Sequence, residues 1–122
     1  MAKAYAVVVG VVLLLVGIVG FLTPSLMGLT FHPAHNVIHL LSGILGLWAG
    51  LKSEGAARTY ARVFGVIYTL VAVVGFAGIH DLGPIMLGLN GMYNIIHLAV
   101  GVLGLAAGFM GASAPKTHAA GA

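Results

Sequence analysis

The sequence predicts an all-α, integral membrane four-helix bundle made of two repeated helical hairpins. Three observations predict it. The 122 residues are 61% hydrophobic and only 6% charged; four long apolar runs are separated by clear breaks; and one polar motif recurs 58 residues later. An ordinary soluble domain is about 25% charged, which would mean roughly thirty charges at this length. Five Lys or Arg and two acidic residues cannot cover a water-facing surface. A soluble globular enzyme, a nucleic-acid binder and a disordered tail are thereby poor readings. The net charge of +3 comes from scattered residues, without the basic patch that phosphate binding requires. Cysteine is absent, which removes disulfides, thiolate nucleophiles and iron–sulfur clusters.

Charge-free apolar runs lie at about Ala4–Leu22, Asn36–Leu51, Val63–Ile79 and Met92–Met110. A spanning helix needs about 20 predominantly apolar residues, so the spans are expected at about 4–22, 34–51, 58–79 and 91–110. Span one ends at Thr23-Pro24-Ser25. Its length and the lack of an A-x-A site favour a retained helix over a cleaved signal peptide. Pro33 suits the first turn of span two, where its missing N–H costs nothing. Span three ends at His80-Asp81-Leu82-Gly83-Pro84, and Asn90 is placed to cap span four. Residues 111–122, rich in Ala and Gly with Pro115, read as a disordered cytoplasmic tail.

Lys3, the trio Lys52, Arg58 and Arg62, and Lys116 all fall on one side of a four-span arrangement, while the other two loops contain no Lys or Arg. The positive-inside bias predicts a multi-pass protein of a bacterial inner (plasma) membrane with both termini cytoplasmic. His32, His35 and His80 then lie on the outer side. Trp48, Tyr60 and Tyr5 read as interfacial belt aromatics, and Arg58 and Arg62 as contacts to lipid headgroups. Met27 and Met86, in matching outer loops, read as lipid-contacting filler.

Shifting the sequence by 58 residues without a gap lays Asn36, His39, Gly43, Gly46 and Gly50 on Asn94, His97, Gly101, Gly104 and Gly108. Ten of the fifteen positions from Asn36 to Gly50 are identical. The same shift matches Gly17 and Gly20 with Gly75 and Gly78. Spans two and four run in one direction, so the repeat is parallel, and His39 and His97 share one depth, roughly 10 Å inside their helix starts. On a helical wheel each Asn, His and Gly set falls within an arc of about 100°. The Gly-x-x-x-Gly spacing lets membrane helices approach closely, so the polar stripe faces the bundle.

The twice-occurring pattern N-x-x-H-L-x-x-G-x-x-G-L, with Ala61-Arg62-Val63-Phe64-Gly65-Val66-Ile67-Tyr68 opening span three, resembles the bacterial four-helix membrane family catalogued as domain of unknown function 4383. The resemblance covers about residues 5–110. It rests on Asn36, His39, Gly43, Gly46, Asn94, His97, Gly101 and Gly104. It implies fold and location, and no chemistry. The compact loop carrying His32 and His35 departs from the family pattern.

Ionisable residues inside spans default to functional hypotheses. One is b-type haem between His39 and His97 for electron transfer, with Gly43, Gly46, Gly101 and Gly104 giving room and Asn36 and Asn94 orienting the imidazoles. A second is a transition-metal site for Zn or Cu on His35, His39 and His97. The leading reading is structural, an Asn36/His39/Asn94/His97 hydrogen-bond network locking spans two and four in register, in an accessory subunit. A proton relay lacks an intramembrane carboxylate, and a transporter component remains a further alternative. There is no Ser-His-Asp set, paired carboxylates or phosphate loop, so the chain is not expected to be an enzyme. The expected partners are the lipid bilayer and a second copy or larger membrane complex, with no nucleic acid.

Overall fold

The computed structural model describes residues 1–23, 25–26, 29–79 and 91–110. Among them the elements run α1 (Ala2–Leu22), β1 (Ser25–Leu26), β2 (Leu29–Thr30), α2 (Pro33–Lys52), α3 (Glu54–Phe76) and α4 (Gly91–Leu105), continued by a π-helical turn at Ala106–Met110. The architecture is the expected all-α bundle of four helices, each long and apolar enough to cross a membrane. To it the chain adds a two-residue antiparallel ladder between α1 and α2, with Ser25 opposite Thr30 and Leu26 opposite Leu29. Asn90, His80, Asp81, Met27, Met86 and the tail 111–122 lie outside the described residues.

Local chemistry sets the helix ends. Pro33 occupies the first turn of α2 as expected, with His32 as N-cap residue, although the His32 side chain makes no capping bond. Helix α3 starts at Glu54, four residues before the expected position. The Ser53 hydroxyl accepts from the Ala56 N–H at 3.0 Å, and Glu54 adds an acid in the first turn; both favour initiation there. Helix α3 ends at Phe76, and Gly78 follows with φ +94°, a left-handed turn that glycine adopts without steric cost.

The packing inverts the pattern of a soluble bundle. The buried set is dominated by Ala and Tyr with His, Asn and Ser, while Leu15, Leu41, Leu70 and Leu103 are 57–59% exposed. Hydrocarbon solvates leucine as well as another helix does, so small residues that permit close approach take the interface. A Cβ added to Gly10 of α1 would lie 2.7 Å from the Leu47 nitrogen and 2.9 Å from the Gly43 oxygen of α2. One added to Gly65 of α3 would lie 2.6 Å from the Leu105 nitrogen and 2.8 Å from the Gly104 carbon of α4. In each hairpin, helix backbone touches helix backbone.

These contacts correct the gapless 58-residue alignment. Residues of α2 and α4 correspond at 58, but those of α1 and α3 correspond at 55: Gly10 with Gly65, Gly20 with Gly75, Tyr5 with Tyr60. Eleven of the twenty positions from Ala2 to Phe21 are identical to those 55 later. The Gly17/Gly75 and Gly20/Gly78 matches are therefore coincidences of a glycine-rich chain. The three-residue difference falls between the two helices of each hairpin.

Tyr5 and Tyr60 join the hairpins crosswise. The Tyr5 hydroxyl donates to the Val100 carbonyl at 2.8 Å, and the Tyr60 hydroxyl to the Ser42 carbonyl at 2.9 Å. Both rings are buried, so neither is the interfacial belt residue expected. At the same end of the bundle, Arg62 Nε donates to the Gly108 carbonyl at 2.7 Å. The guanidinium lies 4.8 Å from the Phe109 ring centroid, so Arg62 holds the π-helical turn of α4 as well as reaching the helix end.

Candidate metal centre

Helix α2 starts at Pro33, which places His35 in its first turn and His39 one turn further on. Helix α4 starts at Gly91 and places Tyr93 and His97 at matching levels. The i, i+4 spacing puts His35 and His39 on one face, and their ring centroids are 4.1 Å apart. The His97 ring reaches in from the other hairpin, 5.7 Å from His35. All three are 3–4% exposed, and each offers a ring nitrogen within 4.8 Å of the others. Tyr93 packs 5.0 Å from His35 and 5.5 Å from His97, stacked on the latter, and Tyr68 of α3 lies 5.3 Å from His97.

The Nδ1 atoms of His39 and His97 are buried and make no hydrogen bond, as is true of the Tyr68 hydroxyl beside them and of the Oδ1 atoms of Asn36 and Asn94. A buried polar atom without a partner costs about 1–3 kcal/mol, and the two imidazole nitrogens stand at one place. Zn–N bonds of about 2.0–2.1 Å place ligand nitrogens about 3.4 Å apart. The three ring nitrogens lie within 4.8 Å of one another, near that spacing without matching it.

Two apolar clefts flank the cluster. One, of about 240 Å³, lies between α1 and α4 and is lined by Val9, Val12, Val16 and Ile96, with His39, Tyr68, Tyr93 and His97 at its inner wall. The other, of about 190 Å³, lies between α2 and α3, with Ile38, Ile67 and Val71 leading to His35, Tyr68 and His97. They are counterparts at the 55 and 58 offsets, Val16 matching Val71 and Ile96 matching Ile38.

The structure brings His35, His39 and His97 together and sends the two asparagines elsewhere. Asn36 lies against Gly20 of α1, and Asn94 against Gly75 of α3, each side chain in the space a glycine Cβ would take. Each asparagine therefore packs within its own hairpin, and the expected Asn/His network across α2 and α4 is not the arrangement found. The four glycines expected to make room for a porphyrin are also filled. Gly43 meets Gly10 and Leu14, Gly46 meets Ala6 and Tyr60, Gly101 meets Thr69, and Gly104 meets Gly65 and Tyr5. With His35 seated beside His39, this geometry suits a small ion rather than a haem macrocycle.

Sequence reasoning missed Tyr5 as a cross-brace and Tyr93 as a wall of the site. The Tyr5/Tyr60 identity at a 55-residue offset was the signal for the first. The second carried none beyond its position opposite His35 in the 58-residue alignment.

Neither a curated protein nor a solved structure matches this chain. The sequence profile of a domain of unknown function, DUF4383, matches residues 3–110. That match takes in all four helices and every residue of the histidine cluster. The chain belongs to the DUF4383 family, as its two N-x-x-H-L motifs had indicated.

Proposed function

We propose that this multi-pass membrane protein is a transition-metal-binding protein, not an enzyme, with His35, His39 and His97 as its ligands. The observation that carries this reading is the meeting of three buried imidazoles from two hairpins, with ring nitrogens within 4.8 Å and two Nδ1 atoms unpaired. Imidazole suits Zn, Cu, Fe and Ni, and coordination satisfies nitrogens that protein groups leave bare. The matching contacts of the two hairpins support their reading as an internal repeat. Within it, His39 and His97 are the shared pair and His35 is the addition.

Elemental analysis of detergent-purified protein, with metal titration, tests the reading. About one equivalent of transition metal is expected per chain, lost in His39→Ala and His97→Ala. A colourless, metal-free preparation that takes up no added metal overturns it, leaving the cluster as interhelical packing in an accessory subunit. Ion or solute flux after reconstitution would instead indicate a transporter component.

The placement of Lys3, Lys52, Arg58, Arg62 and Lys116 supports cytoplasmic termini in a bacterial inner membrane, with the histidines near the outer face. The chain has no cysteine, so single Ser25→Cys and Lys52→Cys variants can be labelled without background. An impermeant maleimide should label the first in intact cells and the second only after permeabilisation. The reverse result inverts the orientation.

A further inference from the structure

Building on the three-histidine reading, we propose that the site is selective for a monovalent ion, copper(I), held in three-coordinate form by His35, His39 and His97. Charge and coordination number both point to it. The three ligands are neutral imidazoles, and among the described residues no carboxylate lies near them. Glu54 is fourteen residues before Tyr68 on α3, roughly 21 Å away along the helix. The neighbouring phenols of Tyr68 and Tyr93 carry no charge at neutral pH. Among the described residues, nothing offsets the charge of an ion bound there. The cost of burying a charge grows with its square, about fourfold for a divalent over a monovalent ion.

The second consideration is the fourth ligand. Zinc is almost always four-coordinate, and a three-histidine zinc site completes its shell with water or substrate. A buried water needs two to four polar partners. The space beside the imidazoles is walled by Val9, Val12, Val16 and Ile96 on one side and Ile38, Ile67 and Val71 on the other. The same clefts carry only the phenols of Tyr68 and Tyr93 and the Ser42 hydroxyl as further polar groups, so a water there has few partners. Copper(I) is satisfied by three donors and asks for no solvated fourth.

The asymmetry of the halves gives the test its variant. The counterpart of His35 in the second hairpin is Tyr93, so His35→Tyr places the same residue in both halves and removes one ligand while keeping an aromatic ring. Full-length protein in detergent is titrated anaerobically with copper(I) against bicinchoninate, and separately with zinc(II) against a chromophoric chelator. One equivalent of copper(I) is expected, bound tighter than zinc(II) by on the order of tenfold or more. X-ray absorption should show three nitrogen scatterers. His35→Tyr, with unchanged helical circular dichroism, should weaken copper(I) binding by on the order of 100-fold, at least the upper end of what losing a ligand's supporting partner costs. Zinc(II) binding as tight as copper(I), a four-coordinate copper spectrum, or full copper affinity in a folded His35→Tyr protein overturns the proposal. Stoichiometric zinc on the triad with weak copper(I) would sink it alone, whereas failure of both metals removes the three-histidine reading with it.

Discussion

The two hairpins keep one packing scheme and differ where they face each other. Gly10 and Gly65 press on the partner backbone at equivalent points, and Asn36 and Asn94 fill the space over Gly20 and Gly75. Tyr5 and Tyr60 reach across to Val100 and Ser42, which are themselves 58 residues apart. Around the centre the equivalence fails: His35 answers to Tyr93, Leu13 to Tyr68, Val9 to Phe64, and Val100 to Ser42. Packing constraints act on each hairpin alike, because both must bring backbones together without hydrophobic drive from the solvent. The centre is one place shared by both, so one half can supply a ligand where the other supplies a ring.

Substitution at the shared glycines should have the largest effect. Gly10→Leu and Gly65→Leu each force a side chain into backbone atoms, with an expected loss of about 3 kcal/mol or more, and similar losses in both halves. Thermal unfolding in detergent measures this. If Gly65→Leu were tolerated while Gly10→Leu was not, the two interfaces would not be equivalent.

Next comes the centre. Tyr93→His adds a fourth imidazole and makes the halves alike there, supplying the ligand that tetrahedral zinc lacks. Zinc(II) affinity should rise by on the order of tenfold relative to copper(I), read by competitive chelator titration. An unchanged ratio would mean that Tyr93 does not face the ion. The cross-braces should show a smaller effect. Tyr5→Phe and Tyr60→Phe each lose one hydrogen bond, worth about 0.6 kcal/mol within a membrane protein, and a double-mutant cycle should find them nearly additive. The smallest change belongs to Gly55, whose Cβ would approach nothing nearer than Ser53 Oγ at 4.0 Å. Gly55→Ala, in the first turn of α3, should stabilise by less than about 0.5 kcal/mol through helix propensity alone.

Much of this was legible in the sequence. The scarcity of charge and the four apolar runs specify the bundle, and Asn36, His39, Gly43 and Gly46 with their counterparts at 58 locate the inward faces of α2 and α4. The register of α1 against α3 was not, because a loop of different length shifts it to 55 and chance Gly matches at 58 disguise the change. The roles of the stripe residues were also hidden. Periodicity shows that Asn36 and His39 share a face, but Asn36 turns to Gly20 within the hairpin and His39 to the opposite hairpin. Only the three-dimensional arrangement separates these two directions. The 58-residue alignment sets Tyr93 against His35, and the fold makes that difference the source of a third nitrogen.

The Tyr5 hydroxyl has a consequence for biogenesis. Its acceptor, Val100, lies 95 residues later, whereas Tyr60 finds Ser42 only 18 residues behind it. At a synthesis rate of about 5–20 residues per second, Tyr5 waits roughly 5–20 seconds for its partner to be made. Tyr60 meets a carbonyl that has already left the ribosome. The first helix enters the bilayer carrying a donor that nothing yet synthesised can satisfy in the native way. The Tyr5–Val100 bond thus closes only when the last span has arrived.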